Sequence, residues 1–237
     1  MIDDGLLWSV ALIIAAVALT LAVAPPRTRD RRGLVDAALG PAMIGLLAGR
    51  VAAMLLEDPR SISRPTDILV LRGGVELWPA VAVGVTAGLI TARRAGRSGT
   101  RALADSAPAA LVSYAAYEAA CLARSGCFGP SNRIGLTPPG LTTPVIPVGL
   151  LVAIAMVGVA IAVRRRTLHD SVGGLALAVA GLALVRSVAS VWLPKIGTGL
   201  TRQHRESVLV LAIALPSIMV QWAYRRRATP IEVIAGT

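Results

Sequence analysis

Val172–Leu193 reads VGGLALAVAGLALVRSVASVWL, an apolar run interrupted by a single charge, Arg186. A helix needs about 20 apolar residues to cross the roughly 30 Å hydrocarbon core of a bilayer, and this run has that length. Six further runs of the same kind lie at Leu6–Ala24, Ala37–Leu56, Val75–Ala92, Ala102–Ala123, Leu141–Val163 and Ser207–Tyr224. Loops rich in Arg, Pro, Gly and Ser separate them.

The expected fold is therefore an all-α integral membrane protein, with residues 1–237 forming one transmembrane domain of seven helices. Composition agrees. Hydrophobic residues make up 55% of the chain, charged residues only 16%, and the mean hydropathy is +0.69, which leaves too little polar content for a soluble globular domain. The net charge of +11 would suggest nucleic acid in a soluble protein. Here the arginines cluster between apolar runs, where positive charge sets membrane orientation, so no nucleic-acid partner is expected.

Alternate loops differ in basic content. One set holds 14 Lys and Arg residues, including Arg93, Arg94, Arg97, Arg101 and Arg164–Arg166, and the other holds 8. Basic loops resist translocation, so the richer set belongs to the cytoplasm. That puts the N-terminus outside, the C-terminus in the cytoplasm and the loop around Arg124 on the outer face. The first run follows Asp3 and Asp4 rather than basic residues and reads as a retained helix. Trp78, Trp192 and Trp222 fall near span ends and suit interfacial aromatic belts.

Pro41, Pro79, Pro108, Pro144, Pro147 and Pro216 fall in or beside the runs and free backbone carbonyls that need internal partners or water. An irregular bundle with a central lipid-accessible cavity follows. Gly84 with Gly88, and Gly173, Gly174 and Gly181, read as sites of close helix packing.

Charges inside the spans carry the functional expectation. Arg50, Glu118 and Arg186 each cost at least about 2.5–3.5 kcal/mol at a helix centre unless paired or solvated, so they face an interior. An ion pair of Glu118 with Arg50 or Arg186 is expected. Two arginines against one carboxylate leave positive charge over, which suits an anionic headgroup. Tyr114, Tyr117, Glu118 and Cys121 share a helix face at spacings of three and four, and Arg124 continues that face. Its guanidinium suits bidentate recognition of phosphate. Cys121 and Cys127 match no metal-ligand pattern and do not predict a disulfide framework, and Cys127 reads as a small residue in a tight turn. His169 and His204 lie in different loops, so no metal or other cofactor is expected.

Several segments, collinear along the chain, resemble one family. Ala123-Arg124-Ser125-Gly126-Cys127-Phe128 followed by Asn132 resembles the signature of the bacterial prolipoprotein diacylglyceryl transferases. Leu47–Val51, Arg72–Gly74, Leu184–Val188 and Arg205–Arg226 resemble further segments of that family in order. The resemblance implies a multi-pass protein of the bacterial plasma membrane that moves the diacylglyceryl group of phosphatidylglycerol onto a lipoprotein precursor's cysteine. It implies phosphate binding by Arg124 and Arg186, with Arg50 in support and Asn132 as a hydrogen-bonding group. Where the family carries a His, this chain has Trp78, and the family's His-Pro-x-Gln-Leu-Tyr-Glu is reduced to Ile146–Leu151. Glu118 or Glu76 is then the candidate base, with Tyr114 and Tyr117 lining the substrate site. A degenerate relative that binds phospholipid or lipoprotein without transfer is the alternative. A small transporter would show two similar halves, and no internal repeat is evident.

Overall fold

The computed structural model describes residues 4–23, 31–57, 75–121, 127–138, 141–193 and 200–228. Among them are seven helices: α1 (Asp4–Val23), α2 (Arg31–Glu57), α3 (Leu77–Arg94), α4 (Gly99–Ala119), α5 (Val148–Thr167), α6 (Ser171–Trp192) and α7 (Arg202–Ala228). Each overlies one apolar run. The one strand among the described residues, β1 (Ser131–Leu136), lies between α4 and α5.

Boundaries shift where local chemistry intervenes. α4 stops at Ala119 instead of continuing to Ala123, because the Cys121 amide donates to the Glu118 carbonyl at 3.1 Å and tightens the last turn. α5 starts at Val148 rather than Leu141. Pro144 and Pro147 bar an earlier helical start, and the segment before α5 pairs in extended form, with Asn132 N–H donating to Pro144 C=O at 2.9 Å and Gly129 N–H to Ile146 C=O at 2.8 Å. α7 begins at Arg202 because Thr201 caps it, its Oγ1 accepting from the His204 N–H at 3.2 Å. Pro41, Pro108 and Pro216 are accommodated within helices.

Three helical stretches are long and apolar enough to cross a membrane: Leu39–Leu56, Val148–Thr167 and Ser171–Trp192. Ala11–Thr20 is a shorter apolar helix. Ile154, Ile161, Leu184, Val188, Leu209 and Ile213 are exposed, an outward-facing apolar surface of the kind lipid covers.

The chain divides into two compact units, Pro26–Ser106 and a second made of Met1–Pro25 with Ala107–Thr237. In the first, α2 packs on α3 with almost no side chain between them. A Cβ on Gly45 would sit 2.6 Å from the Ala80 carbonyl, and one on Gly49 2.7 Å from the Glu76 carbonyl. Gly45 and Gly49, rather than Gly84, therefore set the closest approach. Trp78 belongs to this core, not to an interfacial belt, since it is only 9% exposed. Trp192 is exposed, as a belt residue would be, and the Trp222 side chain lies outside the described residues.

In the second unit α5 packs on α6 and α6 on α7. Met156, Val163 and Ala183 are fully buried. Gly174 lets α6 close on Thr167, and Gly181 receives the Val159 side chain. The C-terminal ends of α4 and α6 and the N-terminal ends of α5 and α7 meet at one end of this unit. There a Cβ on Gly129 would touch Val148 and the Trp192 carbonyl, and one on Gly149 the Glu118 carbonyl.

Candidate functional site

Two carbonyl-tight contacts and one ion pair assemble that end. Glu118 on α4 and Arg186 on α6 form a buried salt bridge, Nη1 to Oε1 at 3.0 Å, with both side chains 7% exposed. Of the two partners expected for Glu118, the structure selects Arg186. Tyr114, one helical turn before Glu118, donates its hydroxyl to the same Oε1 at 2.5 Å, and the Arg186 guanidinium carbon lies 6.0 Å from the Tyr114 ring centroid. The carboxylate thus holds the arginine, and the tyrosine holds the carboxylate. Arg186 Nε is buried and makes no hydrogen bond among the described residues. An unmade buried donor costs about 1–3 kcal/mol, so this N–H is a vacant donor in an otherwise neutralised cluster.

Beside it sits a correction to the sequence reading. Cys121 and Cys127 form a disulfide, with Cα atoms 5.7 Å apart. The tight turn after Glu118 and a left-handed backbone at Cys127, φ +59°, fold the six-residue separation back on itself. Cys127 is the only non-glycine with positive φ among the described residues. It is not merely a small turn residue, for the Gly149 amide donates to its carbonyl at 3.1 Å and its sulfur is bonded. The signal that could have found the bridge was compartment: both cysteines fall in a segment assigned to the outer face, where disulfides persist. The Glu118 carboxylate and both sulfurs lie within 4.8 Å of one another. Bonded to each other, the sulfurs offer no thiolate to a metal.

Closing a ring this small stabilises the fold by about 2 kcal/mol in the chain-entropy account. Reduction, or Cys127→Ser, is expected to lower the thermal unfolding midpoint in detergent. The wild type should respond to reductant, and the variant should not.

The other expected site residues are distributed differently. Tyr117 is 43% exposed, unlike the buried Glu118 and Cys121 on neighbouring positions of the same segment. Asn132 is exposed on β1, and its Oδ1 accepts from the Ile134 amide at 3.2 Å, a local turn contact. Arg50 is buried in the Pro26–Ser106 unit. Glu76 precedes α3 in that same unit, donating its amide to the Gly49 carbonyl at 3.0 Å. Arg124 and Arg72–Gly74 lie outside the described residues.

Sequence reasoning missed two features. Asp105 on α4 is buried, with neither carboxylate oxygen hydrogen-bonded among the described residues, and the argument applied to Glu118 applies equally to it. Ser190, 2% exposed, is hydrogen-bonded to His204 Nδ1 at 2.7 Å. Its signal was spacing, because Ser190 lies four residues after Arg186 on the same helix face. A scan against protein-family models and a search of curated proteins each find no match.

Proposed function

We propose that this chain is a multi-pass protein of a bacterial plasma membrane that binds the phosphate of phosphatidylglycerol and transfers its diacylglyceryl group to a lipoprotein precursor's cysteine. The reading takes all seven helices as crossing, around a cavity open to lipid, with the N-terminus outside and the C-terminus cytoplasmic. The disulfide supports placing the Cys121–Cys127 end outside, in an oxidising compartment.

The observation that carries the proposal is Arg186, a guanidinium fixed by Glu118 with its Nε–H unpartnered in an apolar interior. A phosphate oxygen is the acceptor that fits. In the reaction the thiol loses its proton, a C–S bond forms at the glycerol carbon, and the C–O bond to phosphate breaks. Glycerol phosphate leaves with the bonding pair, and the negative charge that develops there is what a preorganised guanidinium stabilises. Arg186 and Arg124 bind the phosphate in this scheme, Asn132 supports it, Tyr114 and Tyr117 flank the substrate, and Glu118 orients Arg186.

A second reading, phospholipid binding without transfer, is favoured by one detail. Glu118 Oε1 already accepts from both Tyr114 and Arg186, which leaves that oxygen poorly placed to act as a base. Purified protein in phosphatidylglycerol vesicles with a lipobox peptide separates the two readings. Transfer adds a diacylglyceryl mass to the peptide cysteine, whereas lipid that copurifies with no mass gain favours binding alone. Arg186→Lys keeps a cation for Glu118 but loses the planar fork, and is expected to slow transfer or weaken lipid retention about 10- to 100-fold. Unchanged transfer and retention in that variant would remove the phosphate site.

A further inference from the structure

We infer that His204 is a general base of this site, presenting Nε2 to the substrate thiol while Ser190 positions its ring. The inference rests on the transfer reading proposed above. It stands on hydrogen-bond directions. Ser190 Oγ lies 2.8 Å from the Ser187 carbonyl, which can only accept, so the serine proton points there. His204 Nδ1 lies 2.7 Å from Ser190 Oγ and 3.2 Å from the same Ser187 carbonyl. Nδ1 facing a carbonyl must carry a proton, and the serine oxygen, its own hydrogen already used, accepts from it as well. The neutral ring is therefore the Nδ1–H tautomer, with the Nε2 lone pair directed away from the helix contact.

Three circumstances make this more than a packing contact. Thr201 already caps the start of α7 through the His204 amide, so the imidazole is not needed to begin the helix. Nε2 makes no hydrogen bond among the described residues, and the ring is only half-buried, whereas Ser190 beneath it is nearly inaccessible. Arg186 lies one turn from Ser190 on α6, so the residue that positions the ring and the phosphate-binding cation share one face of that helix, about 6 Å apart.

Among the described residues, the charged groups on the helix ends that meet here are Glu118 on α4, Arg186 on α6 and, on α7 itself, Arg202, Arg205 and Glu206. Arg202 and Glu206 pair at 3.5 Å. Nε2 takes the thiol proton as sulfur attacks the glycerol carbon. The C–O bond breaks with its electrons on the phosphate held by Arg186, and the imidazolium returns its proton to the departing phosphate monoester.

The test uses the full chain in phosphatidylglycerol vesicles with a lipobox peptide and follows peptide mass against pH. Wild type should show a rate that rises with pH through one titration step. His204→Gln should lose that step and fall about 10²- to 10⁴-fold while retaining copurified lipid and its unfolding midpoint. Added imidazole should restore part of the rate to His204→Ala, which no packing role would permit. Ser190→Ala should displace the pH profile, and Ser190→Thr should restore it. Transfer by His204→Gln at the wild-type rate and pH profile overturns the base assignment alone. Absence of transfer by wild type overturns the transfer reading and this assignment with it.

Discussion

Arg186→Ala is expected to destabilise the protein by about 3–5 kcal/mol, the cost of stranding one member of a buried ion pair. Both side chains are buried, so without the arginine Glu118 is left in an apolar interior with the Tyr114 hydroxyl as its remaining partner. Thermal unfolding in detergent reads the loss. Glu118→Leu combined with Arg186→Leu should recover most of it, since the isolated charge is the penalty and the pair itself contributes little net stability. If the double variant remains as unstable as the single one, the pair contributes through shape rather than charge. The double variant must also lose phospholipid retention, which separates stability from the proposed binding role.

Gly149→Val is the second large effect, at about 3 kcal/mol. A Cβ at this position would lie 2.7 Å from the Glu118 carbonyl oxygen and 3.2–3.3 Å from the Cβ atoms of both bridged cysteines. Backbone on one side and a disulfide on the other cannot yield as a flexible side chain would. Gly158 on the same helix has nothing within 4 Å of the place a Cβ would take, so Gly158→Ala should be neutral or stabilise by up to about 1 kcal/mol. Comparable unfolding midpoints for the two variants would show that the α4–α5 contact is looser than these distances require.

Much of the helical architecture was legible because long apolar runs favour helices, and three of the seven are long and apolar enough to cross a membrane. Seven apolar runs became seven helices, and the run that carries Arg186 is joined to the one that carries Glu118 by their ion pair. The ends of the helices were less legible. Pro144 and Pro147 moved the start of α5, and Thr201 moved that of α7, through local hydrogen bonds that hydropathy does not register. Helical spacing placed Tyr114, Glu118 and Cys121 together correctly but carried Tyr117 with them. A face defined by threes and fours is wider than the stripe that becomes buried. The disulfide and the Ser190–His204 contact depend on which helix ends share one side of the unit, a tertiary fact with no local period.

Glu118 and Arg186 are 68 residues apart in the chain. At roughly 5–20 residues per second, synthesis separates them by about 3–14 s. Over that interval α4 exists without the cation that will neutralise its carboxylate, whereas Tyr114, four residues earlier, has already emerged. The hydroxyl is thus the first partner Glu118 can have, and the guanidinium arrives to a carboxyl group already oriented. Biogenesis, not only the finished fold, has to accommodate an acid whose counterion is made last.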